Sequence, residues 1–289
     1  MTQPILIAAA VTPMTDGGAR LDLDAVPAYG AWLTTHGADG AFVSGTTGEG
    51  VLLTLDERRG ATVAWRAALE GTLIVHAGAQ TTADTVAIAA HAAEAGADAV
   101  AVIAPPYFAL DDDALTAHFV AVARACAPLP FYCYAFAARS GYPLPVSVIE
   151  RIRSSVDNLA GLKVSESPFE RVAPYLATGL PVLIGNEPLI PAGMAVGAIG
   201  AVSGMAAAFP DVVRAALDDP SPAAEVRLRE LRAALEASGQ FIAAAKWALG
   251  LRDVAVGPHV RAPLRGLTSA EAGSLEAALA SYVDGLRVT

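Results

Sequence analysis

The chain has 289 residues, of which 54% are hydrophobic and 17% charged, a composition that excludes a disordered protein and can fill a large core. Its formal net charge is −10, so we expect neither nucleic acid nor an anionic membrane as a partner. The two cysteines, Cys126 and Cys133, provide no disulfide framework, which is typical of a reducing compartment. Because the sequence starts without a basic leader and has no long apolar run, we predict a cytoplasmic, globular protein.

Short apolar runs alternate with longer amphipathic segments over the first three-quarters of the chain. The runs contain many β-branched residues and are bounded by Gly or Pro, which is typical of strands buried on both faces. They predict eight strands, at 5–11, 40–44, 73–77, 99–104, 131–134, 159–164, 182–184 and 198–202. The amphipathic segments predict eight helices, at 23–36, 56–70, 83–95, 112–125, 146–155, 169–177, 189–196 and 211–217.

Eight strand–helix units fit an α/β fold of the (β/α)8 or TIM barrel type, in which helical crossovers join parallel strands. Alternation alone also fits an open doubly wound sheet, but the count of eight favours closure into a barrel. No Gly-x-Gly-x-x-Gly pattern follows the first strand, which argues against a dinucleotide-binding unit. We therefore predict that residues 1–220 form the barrel.

The alternation ends after the eighth unit. Three helices are predicted there without strands between them, at 225–238, 240–249 and 270–286, with Pro258, Pro263 and Gly266 interrupting the last gap. This segment is too small for us to expect an independent domain. We predict that residues 221–289 are a C-terminal helical extension of the same domain.

Lys163 is the most informative single residue, because it lies in the apolar sixth run, where a charged amine is costly to bury. Desolvation at a barrel mouth would lower its pKa from about 10.4 to about 7 or 8 and provide a free amine that can attack a ketone. The alternative is a lysine with a buried stem and an ammonium that reaches solvent or a glutamate. The chain has 17 arginines and only two lysines, Lys163 and Lys246, which hints that these two positions need an amine.

Other candidates follow the ends of other predicted strands, where TIM barrels carry their active sites. The turn Gly45-Thr46-Thr47-Gly48 offers backbone N–H groups and hydroxyls to a carboxylate, or is a tight loop whose hydroxyls satisfy its own backbone. Tyr134 is either a core aromatic or a proton shuttle, and Arg139 either binds a carboxylate or lies on a solvated loop.

The five histidines lack the spacing of metal ligands, so we expect no metal.

Together these motifs resemble the dihydrodipicolinate synthase/N-acetylneuraminate lyase family of class I aldolases. The similarity runs from Ala8-Ala-Ala-Val-Thr-Pro13 to Val260-Arg-Ala-Pro-Leu-Arg265, which is nearly the whole chain. Its specific motifs are Gly45-Thr-Thr-Gly-Glu49, Pro105-Pro-Tyr107, Tyr134 five residues before Arg139, and Gly161-Leu-Lys163. Their order and spacing are more specific than any one of them.

The resemblance implies a mechanism that needs no cofactor. Lys163 would form a Schiff base with the keto carbon of pyruvate or a related 2-oxo acid, and the derived enamine would attack an aldehyde. The same steps in reverse would cleave an aldol. Thr47 and neighbouring amides would hold the carboxylate of the 2-oxo acid, with the Val202 carbonyl near its keto end.

The resemblance also implies proton transfer and assembly. Tyr134 would move protons during imine formation, connected through Thr46 to Tyr107. In the family, the tyrosine that matches Tyr107 reaches in from a neighbouring subunit, which implies a homo-oligomer, a dimer or usually a tetramer. The partners expected are therefore a second copy of the chain and small-molecule substrates.

The motifs leave more than one candidate for the second substrate. Arg139 matches the arginine that binds the carboxylate of aspartate semialdehyde, which favours 4-hydroxy-tetrahydrodipicolinate synthase. Ala135-Phe-Ala-Ala138, Val164 and Asn186-Glu187 depart from the family pattern near the second substrate. A 2-keto-3-deoxy sugar acid aldolase or dehydratase, an enzyme like N-acetylneuraminate lyase, and a sensor that only binds 2-oxo acids stay open as alternatives.

Overall fold

The computed structural model describes residues 3–283, in which eight parallel strands form a closed barrel. Each strand pairs with the next along the chain, and the eighth pairs with the first. The strands are β1 (Ile5–Ala9), β2 (Gly40–Val43), β3 (Thr72–His76), β4 (Ala99–Ile103), β5 (Phe131–Ala135), β6 (Leu159–Val164), β7 (Val182–Ile184) and β8 (Gly200–Ser203). This confirms the predicted (β/α)8 barrel and excludes the open sheet.

Helices join the strands and continue beyond the barrel. They are α1 (Val26–Thr35), α2 (Leu55–Ala68), α3 (Thr82–Glu94), α4 (Asp112–Cys126), α5 (Ala137–Ser140), α6 (Val146–Arg153), α7 (Phe169–Leu176), α8 (Ile190–Ala195), α9 (Pro210–Asp218), α10 (Pro222–Glu236), α11 (Phe241–Leu251) and α12 (Ser269–Val283). None of the helices among the described residues has both the length and the apolarity needed to cross a membrane.

Local capping chemistry sets several of the helix starts. Thr54 and Glu57 form a capping box at α2, in which each side chain accepts a hydrogen bond from the other residue's backbone N–H. Asp111 caps α4 by accepting the N–H of Ala114 at 2.8 Å, so this helix begins at residue 112, as predicted. Ser221 caps α10 with Pro222 at its first position, which starts that helix three residues before the predicted start.

Side chains of the strands alternate between two cores, because successive residues of a strand face opposite sides. In β1, Leu6 and Ala8 belong to the core between strands and helices, whereas Ile7 and Ala9 belong to the cluster inside the barrel. Since all eight strands are parallel, their carboxyl ends lie at one end of the barrel. The loops after these ends therefore come together there.

The predicted elements agree with the observed ones to within three residues at the described ends. The predicted end of the third extension helix, at 286, lies outside the described residues. The sequence did not predict the single turn α5 or the two-residue hairpin strands Met14–Thr15 and Arg20–Leu21. Both are too short to carry a hydrophobic period.

The helices of the extension pack onto the barrel helices. Leu228, Leu231 and Leu235 of α10 are fully buried and belong to the same continuous core as the barrel helices. The extension and the barrel helices therefore share one continuous core. The division at residue 220 stays a prediction.

Candidate active site

A cavity of about 270 Å³ opens at the carboxyl ends of the strands. Six of the seven residues proposed from the sequence contribute to its lining, and they come from four different strands or the segments that follow them. These residues are Thr46, Thr47, Tyr134, Arg139, Lys163 and Val202. The barrel thus brings together side chains that are separated by more than 150 positions in the sequence.

Lys163 is the next-to-last residue of β6 and is 4% exposed. Its Nζ lies 3.8 Å from the centroid of the Phe42 ring and 4.1 Å from that of Tyr134. Burial lowers the pKa of Lys163 from 10.5 to about 7, while the nearby Glu187 carboxylate acts in the opposite direction. A large fraction of the amine is therefore uncharged near neutral pH.

Tyr134 is buried beside this amine at the end of β5. Burial raises the pKa of Tyr134 to about 12, against the opposing effect of hydrogen bonds with Ser165 and Thr46. The Ser165 hydroxyl donates to the phenol oxygen at 3.5 Å. The phenol thus keeps its proton at neutral pH and sits between two hydroxyls, an arrangement that can relay a proton.

The turn after β2 carries Thr46 and Thr47 at the rim of the cavity. It is closed by two backbone hydrogen bonds, from the N–H of Glu49 to the carbonyl of Thr46 and from the N–H of Gly50 to that of Gly45. Thr47 Oγ1 lies only 3.2 Å from where a Cβ on Gly204 would be, so the glycine leaves room for the threonine hydroxyl.

Val202 and Arg139 occupy different depths of the cavity. Val202 is buried in β8 and belongs to the cluster inside the barrel. Arg139 lies on the short helix α5, with its guanidinium 5.7 Å from the centroid of the Phe136 ring. It is exposed and lines the outer part of the cavity, where it can contact a ligand.

Tyr107 is the predicted site residue that does not line the cavity of its own chain. Its side chain is 85% exposed and packs edge-on against that of Phe108, which is 72% exposed. Its backbone has φ +83°, a conformation that costs energy for an aromatic residue. The link from Thr46 to Tyr107 is therefore not made within one copy of the chain.

An ion pair in the cavity wall, between buried Glu187 and partly exposed Arg232, was missed by the sequence analysis. Glu187 is 3% exposed and accepts hydrogen bonds from the Ser203 hydroxyl and the Met205 N–H. Its second oxygen pairs with Arg232 of α10 at 2.9 Å. Glu187 could be found as a strand-end acid in the sequence, but Arg232 lies in an ordinary amphipathic helix and carries no local signal.

No group of three or more His, Cys, Asp or Glu side chains within residues 3–283 is arranged to hold a metal ion. The titratable groups that line the cavity are instead one lysine, one tyrosine, three arginines and two glutamates. This set offers a nucleophilic amine, a proton relay and hydrogen-bond donors for anionic groups.

The fold and cavity define a TIM-barrel protein whose site is built around a buried lysine. The chain belongs to the dihydrodipicolinate synthetase family, whose model it matches over residues 4–282. It is 36% identical over 276 residues to an uncharacterized DapA-like lyase of Halobacterium salinarum, which covers 92% of this chain and 90% of that protein. It is 34% identical over 287 residues to 4-hydroxy-tetrahydrodipicolinate synthase 1 of Streptomyces coelicolor, covering 96% and 92% of the two chains.

Two solved structures show how closely the fold is shared. N-acetylneuraminate lyase of Proteus mirabilis superposes with a TM-score of 0.85 at 26% identity, covering 97% of this chain and 99% of that one. Dihydrodipicolinate synthase of Aquifex aeolicus gives 0.87 at 25% identity, with 97% and 98% coverage. Family membership confirms the resemblance derived from the motifs and identifies a lyase family.

The charge of Glu187 predicts the effect of its removal on Lys163. Glu187→Gln should lower the pKa of Lys163 below about 7, because the carboxylate that stabilises the ammonium is lost. The pKa is measurable from the ¹⁵Nζ resonance of protein labelled with ¹⁵N-lysine, since the chain has only two lysines. Glu236→Gln is the matched control, because half-exposed Glu236 also pairs with Arg232; it should leave the titration unchanged. An unchanged pKa in Glu187→Gln would contradict the electrostatic assignment.

Burial of Lys163 also predicts a pH-dependent cost in stability. Lys163→Met should be more stable than wild type, with the largest gain below pH 7, where the buried amine is charged. Because the folded pKa is about 7 and the unfolded value 10.5, the gain should shrink between these pH values. The expected slope is about 1.4 kcal/mol per pH unit. Urea unfolding from pH 6 to 10 measures this, and a gain independent of pH would refute it.

Proposed function

We propose that the protein is a class I aldolase or lyase that forms a Schiff base between Lys163 and a 2-oxo acid, pyruvate in the simplest case. The observation that carries this proposal is the enclosure of the Lys163 amine by Phe42 and Tyr134 at the base of a cavity, with its pKa lowered to about 7. A free amine at neutral pH is the nucleophile that imine formation needs.

The reaction begins with attack of the Lys163 nitrogen on the keto carbon of the 2-oxo acid. The carbinolamine so formed loses its hydroxyl as water, for which the Tyr134 phenol supplies the proton, and a protonated imine results. Loss of a C3 proton to a base converts the imine to an enamine, since the cationic nitrogen accepts the electron pair. The enamine carbon attacks an aldehyde, whose oxygen takes up the proton held by the base, and hydrolysis of the new imine by water releases the product and the lysine.

We assign the carboxylate of the 2-oxo acid to the turn after β2. The Thr47 hydroxyl and adjacent backbone N–H groups provide donors without placing another charge beside Lys163. The Val202 carbonyl lies at the keto end of the bound acid in this arrangement. Ser165 joins Tyr134 and Thr46 in the proton relay, supported by its 3.5 Å hydrogen bond to the phenol.

We propose that the active form is a homo-oligomer, a dimer or a tetramer, in which Tyr107 enters the site of a neighbouring subunit. Two adjacent, largely exposed aromatic side chains, one of them at φ +83°, support this proposal. A strained, solvent-exposed aromatic residue is explained if an interface holds it in place. We place the enzyme in the cytoplasm, in keeping with its two buried free cysteines.

The acceptor that we favour is aspartate semialdehyde, which would make the protein a 4-hydroxy-tetrahydrodipicolinate synthase. Arg139 in the outer cavity suits the carboxylate of this aldehyde, and the Streptomyces coelicolor relative bears this name. The second candidate is an aldolase or dehydratase of 2-keto-3-deoxy sugar acids. The Glu187–Arg232 pair favours it, because a buried carboxylate lining the cavity can accept hydrogen bonds from sugar hydroxyls.

Reductive trapping tests the Schiff base. Borohydride in the presence of pyruvate should leave a carboxyethyl group on the peptide containing Lys163 and none on that containing Lys246. Lys163→Arg should abolish the adduct while keeping the charge, because a guanidinium is not a nucleophilic amine at this pH. Peptide mass mapping reads the result. An adduct at another residue, or none with any 2-oxo acid tried, would refute the mechanism.

A substrate panel tests the acceptor. We expect condensation of pyruvate with aspartate semialdehyde, and cleavage of 2-keto-3-deoxygluconate or N-acetylneuraminate at less than a hundredth of that kcat/KM. Arg139→Ala should raise the KM for the aldehyde about tenfold or more and leave that for pyruvate within about twofold. Arg151→Ala, an exposed arginine paired with Asp113 on other helices, is the control. Faster sugar acid cleavage would favour the second candidate, and an adduct without turnover would indicate a sensor.

A further inference from the structure

The second lysine of the chain forms a buried ion pair with the turn after β2. Lys246 of α11 and Glu49 have side chains that are 0% exposed, and Nζ donates to Glu49 Oε1 at 2.6 Å. The ammonium also donates to the carbonyl of His259 at 2.6 Å. The other carboxylate oxygen of Glu49 accepts the N–H of Arg261 at 2.7 Å. Both oxygens of Glu49 are therefore held by the C-terminal part of the chain.

Glu49 in turn closes the turn that carries Thr46 and Thr47. Its N–H donates to the carbonyl of Thr46 at 3.1 Å, and its own backbone has φ +57°. A left-handed conformation is unfavourable for glutamate and persists where surrounding contacts impose it. The contacts of the Glu49 carboxylate with Lys246 and Arg261 hold its side chain in one place and so help to impose this backbone conformation.

The environment of Lys246 explains why a chain with 17 arginines has a lysine here. The ammonium is compact and donates to one carboxylate oxygen and one carbonyl oxygen. A guanidinium has five N–H donors on a wider planar group, so it would need more space and more acceptors than this buried site provides.

Burial of this ion pair is poor evidence for stability by itself. The desolvation of two charges offsets most of their attraction, and an apolar pair of similar volume is often as stable. What the pair adds is geometry, because one carboxylate can satisfy the Lys246 ammonium and the Arg261 N–H only in one position. Because Glu49 belongs to the turn that lines the cavity, holding its carboxylate also holds this turn.

We propose that Lys246 is a positioning residue for the proposed reaction: through Glu49 it holds the Thr46–Thr47 turn in the orientation that binds the carboxylate of the 2-oxo acid. The proposal rests on the proposed function for the identity of the ligand. It gives the C-terminal extension a role in positioning the turn, since α11 supplies the ammonium and the segment before α12 supplies the Arg261 N–H.

Two variants and one control test this proposal. Lys246→Met removes the ammonium, and Glu49→Gln combined with Lys246→Met removes both charges, so no unpaired buried charge remains. Arg252→Met is the matched control, because Arg252 has a 3% exposed side chain and adjoins α11, but it pairs with Asp211 of α9. Like the Lys246 substitutions, Arg252→Met removes a buried cation between the extension and the barrel, but at a place away from the turn.

The first measurement is hydrogen–deuterium exchange of the peptide spanning 44–53 in the full-length protein without ligand. Exchange of this peptide should be about tenfold faster in both Lys246 variants, because the hydrogen bonds of Glu49 and Gly50 open more often. Arg252→Met should exchange at the wild-type rate. Unchanged exchange in the Lys246 variants would overturn the proposal, whether or not any 2-oxo acid binds.

The second measurement is the pyruvate concentration that half-saturates borohydride trapping at Lys163. We expect this concentration to rise about tenfold or more in both Lys246 variants and to stay within about twofold of wild type in Arg252→Met. The maximal trapping rate of the Lys246 variants should change less than their half-saturating concentration does. The double variant should regain the thermal stability lost in Lys246→Met and still bind pyruvate weakly. Half-saturation within twofold of wild type would overturn the proposal, whereas failure of wild type to form the adduct would reject the proposed function instead.

Discussion

Desolvation of one amine is the constraint on which the site depends. In water Lys163 would keep its proton, but the barrel encloses its Nζ between the rings of Phe42 and Tyr134 and lowers its pKa to about 7. The Glu187 carboxylate limits this shift, so the pKa stays near 7 and the charged and uncharged forms of the amine are both populated at neutral pH. The enclosure works against folding, because the charged form of the lysine is disfavoured in the native state. Such a cost is common where a site needs a reactive group.

The parallel barrel makes this enclosure possible by collecting the ends of distant strands. Tyr134 and Lys163 lie side by side on β5 and β6 in register, and the turn after β2 faces them across the mouth. The extension then reaches the same mouth from outside through two ion pairs, the partly buried Arg232–Glu187 pair and the fully buried Lys246–Glu49 pair. The loops that line the cavity are thus fixed from the barrel on one side and from α10 and α11 on the other.

The cavity divides into an inner and an outer part with different chemistry. The inner part, around Lys163, is lined by aromatic rings and hydroxyls and suits a small 2-oxo acid. The outer part contains Arg139 and the Glu187–Arg232 pair, whose charges suit a more polar second substrate. Relatives in the family bear the names of a synthase and of an N-acetylneuraminate lyase. We propose that the inner part carries the Schiff-base chemistry and that the outer part selects the acceptor.

The sequence by itself determined the eight barrel strands and every helix except the single turn α5, because burial on both faces and helical amphipathicity leave local periods in the chain. It also identified Lys163 as the candidate nucleophile, since burying a charged amine in an apolar strand is costly and such a residue therefore stands out in the sequence. It could not pair Glu187 with Arg232 or Glu49 with Lys246, 45 and 197 residues apart. Only the tertiary structure decided these contacts, because hydrogen bonds and ion pairs depend on distances in space, and side chains distant in sequence leave no periodic signal of their meeting.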